Sequence, residues 1–151
     1  MVRIISWNVN SLADKTKARQ VLHQLQSFKA DIIILQEIYK NTSKLPPNQV
    51  QLKVEEIASI AKYVWKMNMY FEPNGKLAIL SHYHHSLSII NTFSDGRIMD
   101  FTFSHITKGD CKIKIKYFSM NFHAVYAPAV SGTQNSHWAL NRVKTLLQSY
   151  P

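Results

Sequence analysis

Residues 30–40 read ADIIILQEIYK, and the meaning of this phrase decides the fold. Ile32, Ile33, Ile34 and Leu35 form an unbroken apolar run, too short for a helix of its own and rich in β-branched side chains. Such a run predicts a strand covered on both faces, here over residues 31–35. Upstream, Ala18, Val21, Leu22, Leu25 and Phe28 recur at helical spacing, and Asp14 or Thr16 can open that helix. Residues 2–7 (VRIISW) predict an earlier strand. Strand, helix and strand within forty residues make a βαβ-like beginning.

Beyond this start, residues 41–49 (NTSKLPPNQ) read as a loop, and residues 55–62 as a helix of poor periodicity. Strands are expected over 64–71, 76–81, 87–93, 98–104 and 113–126, with tight turns at SDGR (94–97) and TKGD (107–110). A last helix is expected from Ser136, with Ala139, Val143, Leu146, Leu147 and Tyr150 on one face. There are no repeats or heptads. The natural architecture is α/β, sheet layered with helix.

At 151 residues the chain suits one domain. Eighteen Lys and Arg against nine Asp and Glu leave a net charge of +9, which favours polyanionic partners, nucleic acid before an anionic membrane surface. From Lys108 onward, Lys108, Lys112, Lys114, Lys116, Arg142 and Lys144 face one acid, Asp110. Lys112, Lys114 and Lys116 alternate along a strand, so they share a face. That face reads either as solvated or as a protected sheet edge, or as a stripe that tracks a phosphate backbone. The lone Cys111 allows no internal disulfide. With no signal peptide and no apolar run of membrane-spanning length, the expectation is an intracellular chain without a membrane.

Both early strands run into polar pairs: Asn8 and Asn10 after the first, Gln36 and Glu37 after the second. In layered α/β proteins, ligands gather where strands end. A carboxylate leaving a buried strand needs a positive partner, either a basic side chain or a divalent cation. Asn8 and Asn10 offer amide oxygens to a cation, donors to a phosphate, or partners to loop backbone. A third strand, HAVYAPAV (123–130), ends on Tyr126 before a proline.

SWNVNSL, ILQEI and VYAPA, with GKLAILSHYHH between the last two, resemble in order the motifs of the exonuclease–endonuclease–phosphatase family. The flavour is that of apurinic/apyrimidinic endonucleases and of the endonuclease domains of non-LTR retrotransposons. The resemblance implies a two-sheet α/β sandwich and a Mg²⁺-dependent phosphoester hydrolase, with Mn²⁺ as the substitute ion. Glu37 would then be a metal ligand, Asn8 and Asn10 would sit at the metal or phosphate, and Tyr126 would hydrogen-bond the scissile phosphate.

The chain departs from the pattern in three places. Ala129 stands where nuclease branches carry Asn, and neither the Gly-Asp-Phe-Asn segment nor the C-terminal Asp-His pair has a counterpart. Residues 1–151 are therefore expected to form a single partial domain, roughly the first half of the sandwich, weakly active or inactive alone. One sheet face would then lie bare until a dimer partner or the missing half covered it. Two other functions stay open: a non-catalytic nucleic-acid-binding fragment or mobile-element relic, and a phosphatase of small phosphoesters. His82, His84 and His85 look like a metal tract but fall at an ordinary strand end of the family. His105, His123 and His137 have no recognisable partners. Trp7, Trp65 and Trp138 read as core aromatics.

Overall fold

β1 (Ile4–Asn8), α1 (Lys15–Ser27) and β2 (Ile32–Gln36) form the expected opening, with β1 and β2 parallel and Ile4 opposite Ile32. The computed structural model describes residues 3–82, 86–93, 97–108 and 115–126, with the backbone alone at 86, 90, 93, 105–108 and 115–120. The expected final helix, Cys111, His84, His85, His137, Trp138 and Ala129 lie outside the described residues. The Asp14 carboxylate starts α1 by accepting the Thr16 and Lys17 N–H groups at 2.8 and 3.3 Å. Ala18, Val21, Leu22 and Leu25 supply the buried stripe of that helix.

α2 (Pro47–Trp65) begins earlier and ends later than its sequence suggests. The two prolines expected to mark a loop instead start the helix. Pro46 is the N-cap and Pro47 the first helical residue, where a missing N–H costs nothing. Val50, Val54, Ile57 and Ala61 then bury one face. Val64 and Trp65, read as strand on β propensity, complete the last turn before Lys66 closes it in a left-handed conformation. The Trp65 ring packs against His23 of α1, with centroids 5.3 Å apart.

β3 (Met67–Phe71) and β4 (Leu77–His82) complete a four-stranded sheet of order β1-β2-β4-β3. β5 (Ser86–Phe93), β6 (Ile98–Lys108) and β7 (Ile115–Val125) form a second, antiparallel sheet. Thr107 and Lys108, expected in a turn, are still paired, with Lys116 and Ile115. The expected SDGR turn falls largely on residues 94–96, outside the description.

Two cores result. Ile33 and Leu35 of β2 face α1 and α2, with Trp7 and Trp65 packed at the edge. Ile32 of β2, with Leu77 and Ile79 of β4, meets Leu87, Met99, Phe101, Phe103 and Ala124 of the second sheet. β2 is therefore covered on both faces, as its unbroken apolar run requires. This packing corrects one expectation. The β2 and β4 part of that face is not bare: β5, β6 and β7 of the same chain lie over it, because their inward residues carry the matching apolar surface. On β1 the expectation stands, with Ile4, Ser6 and Asn8 exposed. Among the described residues no helix is long and apolar enough to cross a membrane.

Candidate active site

The polar ends of β1, β2 and β7 meet at one edge of the sandwich. Past the β1–β2 ladder the two loops stay zipped: Val9 N–H donates to the Gln36 carbonyl, Ser11 N–H to that of Glu37, and Leu12 N–H to that of Ile38. Asn10, Ser11 and Glu37 all take left-handed backbone conformations, with φ of 51°, 72° and 53°. Asn tolerates this region, whereas Glu rarely enters it, so the Glu37 backbone is strained. Strain of this kind persists only where surrounding contacts enforce it.

Those contacts come from a turn between β3 and β4. Glu37 N–H donates to the Lys76 carbonyl at 2.9 Å and Tyr39 N–H to that of Gly75 at 3.1 Å. Gly75 has φ +81°, and a Cβ there would stand 2.6 Å from the Tyr39 Cβ. The buried Glu72 carboxylate ties the turn by accepting the Asn74 and Lys76 N–H groups at 2.6 and 2.9 Å.

The Tyr126 hydroxyl donates to Glu37 Oε1 at 2.6 Å, across 89 residues and between the two sheets. The Lys40 ammonium lies 3.2 Å from Glu37 Oε2 and 2.5 Å from Asn10 Oδ1. Asn8 Oδ1 accepts the Asn10 N–H at 3.1 Å, and Lys17 Nζ donates to the Asn10 carbonyl at 2.8 Å. Behind Tyr126, Arg97 places its guanidinium 4.8 Å from the ring centroid, a cation–π distance, and accepts the Tyr126 N–H through its carbonyl at 2.7 Å.

These contacts move the two acids in opposite directions. The Tyr126 hydrogen bond holds the Glu37 carboxyl below its ordinary range. Burial opposes this, while Lys40 and Asn8 reinforce it. Burial pushes the Tyr126 phenol upward, and the Glu37 hydrogen bond and charge add to it against Arg97. At neutral pH the site thus holds a carboxylate beside a protonated phenol.

Glu37, Tyr126, Asn10 and Asn8 are brought together as their strand ends suggested. Lys112 and Lys114 lie outside the described residues, and Lys116 is described only as a backbone position paired with Thr107. Sequence reasoning missed Lys40, Arg97, Ser11 and Gly75. Lys40 alone carried a usable signal, three residues after Glu37. It also missed a partner for His123, whose Nδ1 contacts the buried Asp100 on the adjacent strand. Only the β6–β7 register reveals that pair.

Among the described residues no three His, Cys, Asp or Glu side chains cluster as a metal cage. Glu37 Oε2 and Asn10 Oδ1 nevertheless converge on one cation, the Lys40 ammonium. A magnesium-like ion needs only one or two carboxylates, because it keeps much of its water. The donor set fits such an ion, provided the ammonium leaves.

Comparison with known proteins bears on this geometry. Residues 5–151 match the sequence model of the Endonuclease/Exonuclease/phosphatase family. An AP endonuclease from Archaeoglobus fulgidus superimposes with a TM-score of 0.52 at 19% identity, over 100% of this chain and 52% of that one. At that identity the likeness speaks for the fold, and the chain spans about half the length of the archaeal protein. No curated protein sequence matches the chain. With the family match covering nearly every residue, the chain belongs to the Endonuclease/Exonuclease/phosphatase family.

Proposed function

We propose that residues 1–151 form part of a single domain that hydrolyses phosphodiesters of nucleic acid with Mg²⁺ or Mn²⁺. The observation that carries this reading is the Tyr126–Glu37 hydrogen bond at 2.6 Å, which joins a phenol donor and an ionised carboxylate from separate sheets. A divalent ion there would neutralise non-bridging phosphate oxygens and stabilise the leaving oxyanion.

The chain's own groups do the rest. Glu37, with Asn10 and Asn8 beside it, presents oxygens to the ion. Tyr126 keeps its proton through neutral pH and offers it to a phosphate oxygen as a hydrogen-bond donor. Lys17, Lys40 and Arg97 border the site with positive charge, and the net charge of +9 favours a polyanion over a small phosphoester. The same charge favours a second reading, binding of nucleic acid without turnover.

Nicking of supercoiled plasmid tests both readings. Weak cleavage is expected from this part of the domain, and only with Mg²⁺ or Mn²⁺, with Glu37→Gln and Tyr126→Phe each losing about 100-fold or more, the range for removing one electrostatic stabiliser. Salt-sensitive binding of DNA without cleavage would select the binding module. Hydrolysis of small phosphoesters but not DNA would select a phosphatase.

A further inference from the structure

Lys40 does more than lend positive charge to the edge of the site. Its ammonium takes Glu37 Oε2 and Asn10 Oδ1 together, while Tyr126 takes Glu37 Oε1. Both Glu37 oxygens thus face a donor, and so does the Asn10 oxygen. A divalent ion binds lone pairs, so it competes for the oxygens that the ammonium already uses. Tyr126 is held on the opposite sheet, whereas Lys40 is easily moved: its side chain is 46% exposed on a flexible four-carbon stem. The backbone of Lys40 is separately fixed, its N–H donating to Ser11 Oγ at 3.3 Å, so the ammonium can swing out without disturbing the loop.

We propose that Lys40 is a built-in counter-ion of the cation site. It neutralises Glu37 while no metal is bound, and it must give up Glu37 and Asn10 for a divalent ion to enter. It therefore sets the affinity of the site. The inference rests on the reading of Glu37 as a metal ligand. A second lysine provides the contrast. Lys17 carries the same charge nearby but among the described residues bonds only the Asn10 backbone carbonyl, so it competes for neither side-chain oxygen.

Mn²⁺ binding to the full 151-residue chain, followed by titration calorimetry and by the resonance signal of free Mn²⁺, tests this without any substrate. Lys40→Met and Lys40→Gln are each expected to tighten binding about five-fold, the size an exposed ion pair carries when it no longer has to be broken. Lys17→Gln is expected to change it less than about two-fold, since surface charges act weakly through water. Glu37→Gln should abolish binding. Loss in Glu37→Gln with no tightening in either Lys40 variant would overturn the counter-ion role and leave the metal site standing. Equal tightening in Lys17→Gln and Lys40→Met would also overturn it, because the effect would then be general field. Unchanged binding in Glu37→Gln, or none in any form of the chain, would remove the metal site and the inference with it. Unfolding curves of the variants, which the exposure of Lys40 predicts will match the parent chain, guard against a misfolded comparison.

Discussion

A single proton between Tyr126 and Glu37 reports on the whole candidate site. Glu37 is more acidic in the folded chain than in the unfolded one. The stability it contributes is therefore complete above the ordinary carboxylate value, near 4.5, and is lost as pH falls through its depressed one. Tyr126 is less acidic when folded, so its contribution is complete below the ordinary phenol value and is lost as pH rises through the raised one. Between these limits the contact is intact. Phenolate absorbance is expected to show Tyr126 ionising late. Glu37→Gln should bring that tyrosine part of the way back, because burial, the largest cause, remains. An unaltered titration would mean that Glu37 does not act on the phenol.

Among the elements, the turn between β3 and β4 matters most to the position of Glu37. It holds the strained residue by its backbone and leaves the carboxylate to the ligand side. Gly75 permits the close approach. Gly75→Ala would place a side chain in the left-handed region and against the Tyr39 Cβ, backbone oxygen and Cα, the last two at 3.1 and 3.2 Å. A loss of about 2–4 kcal/mol is expected from strain and overpacking together. The midpoint of urea unfolding measures it, and a change under about 0.5 kcal/mol, ordinary for a surface site, would show that the turn yields freely.

Across the molecule, the site exists only because two sheets are packed face to face. Asn8, Asn10 and Glu37 come from the first sheet, whereas Arg97 and Tyr126 flank strands of the second. Phe101 lies fully buried between them and stacks on Phe122 at 5.2 Å, with Phe122 on the same inward face as Tyr126. Phe101→Ala should cost about 3–5 kcal/mol, as large-to-small changes in a core do. It should also return Tyr126 toward the ordinary phenol value by loosening β7 over the first sheet. Destabilisation without that return would mean Tyr126 is held locally, by Arg97 and Glu37 alone.

What the sequence by itself determined is the local grammar. The Ile32–Leu35 run specified a strand buried on both sides, and the Ala18, Val21, Leu22, Leu25 spacing specified a helix, because each period dictates which face must leave water. The strand end at Glu37 was legible for the same reason, since a polar group directly after a buried run must find a partner. Asn8 and Tyr126, on strands that are only partly buried, were legible through their family motifs. Where local signals failed, position within an element outweighed residue type. Pro46 and Pro47 start α2 rather than stand in a loop, and Val64 and Trp65 end a helix rather than open a strand. Only the tertiary structure decided that the second sheet lies on the first, that Tyr126 reaches Glu37 across 89 residues, and that Lys40 fills the cation position between Glu37 and Asn10. These are contacts between faces brought together by packing. No periodicity along the chain encodes which face meets which.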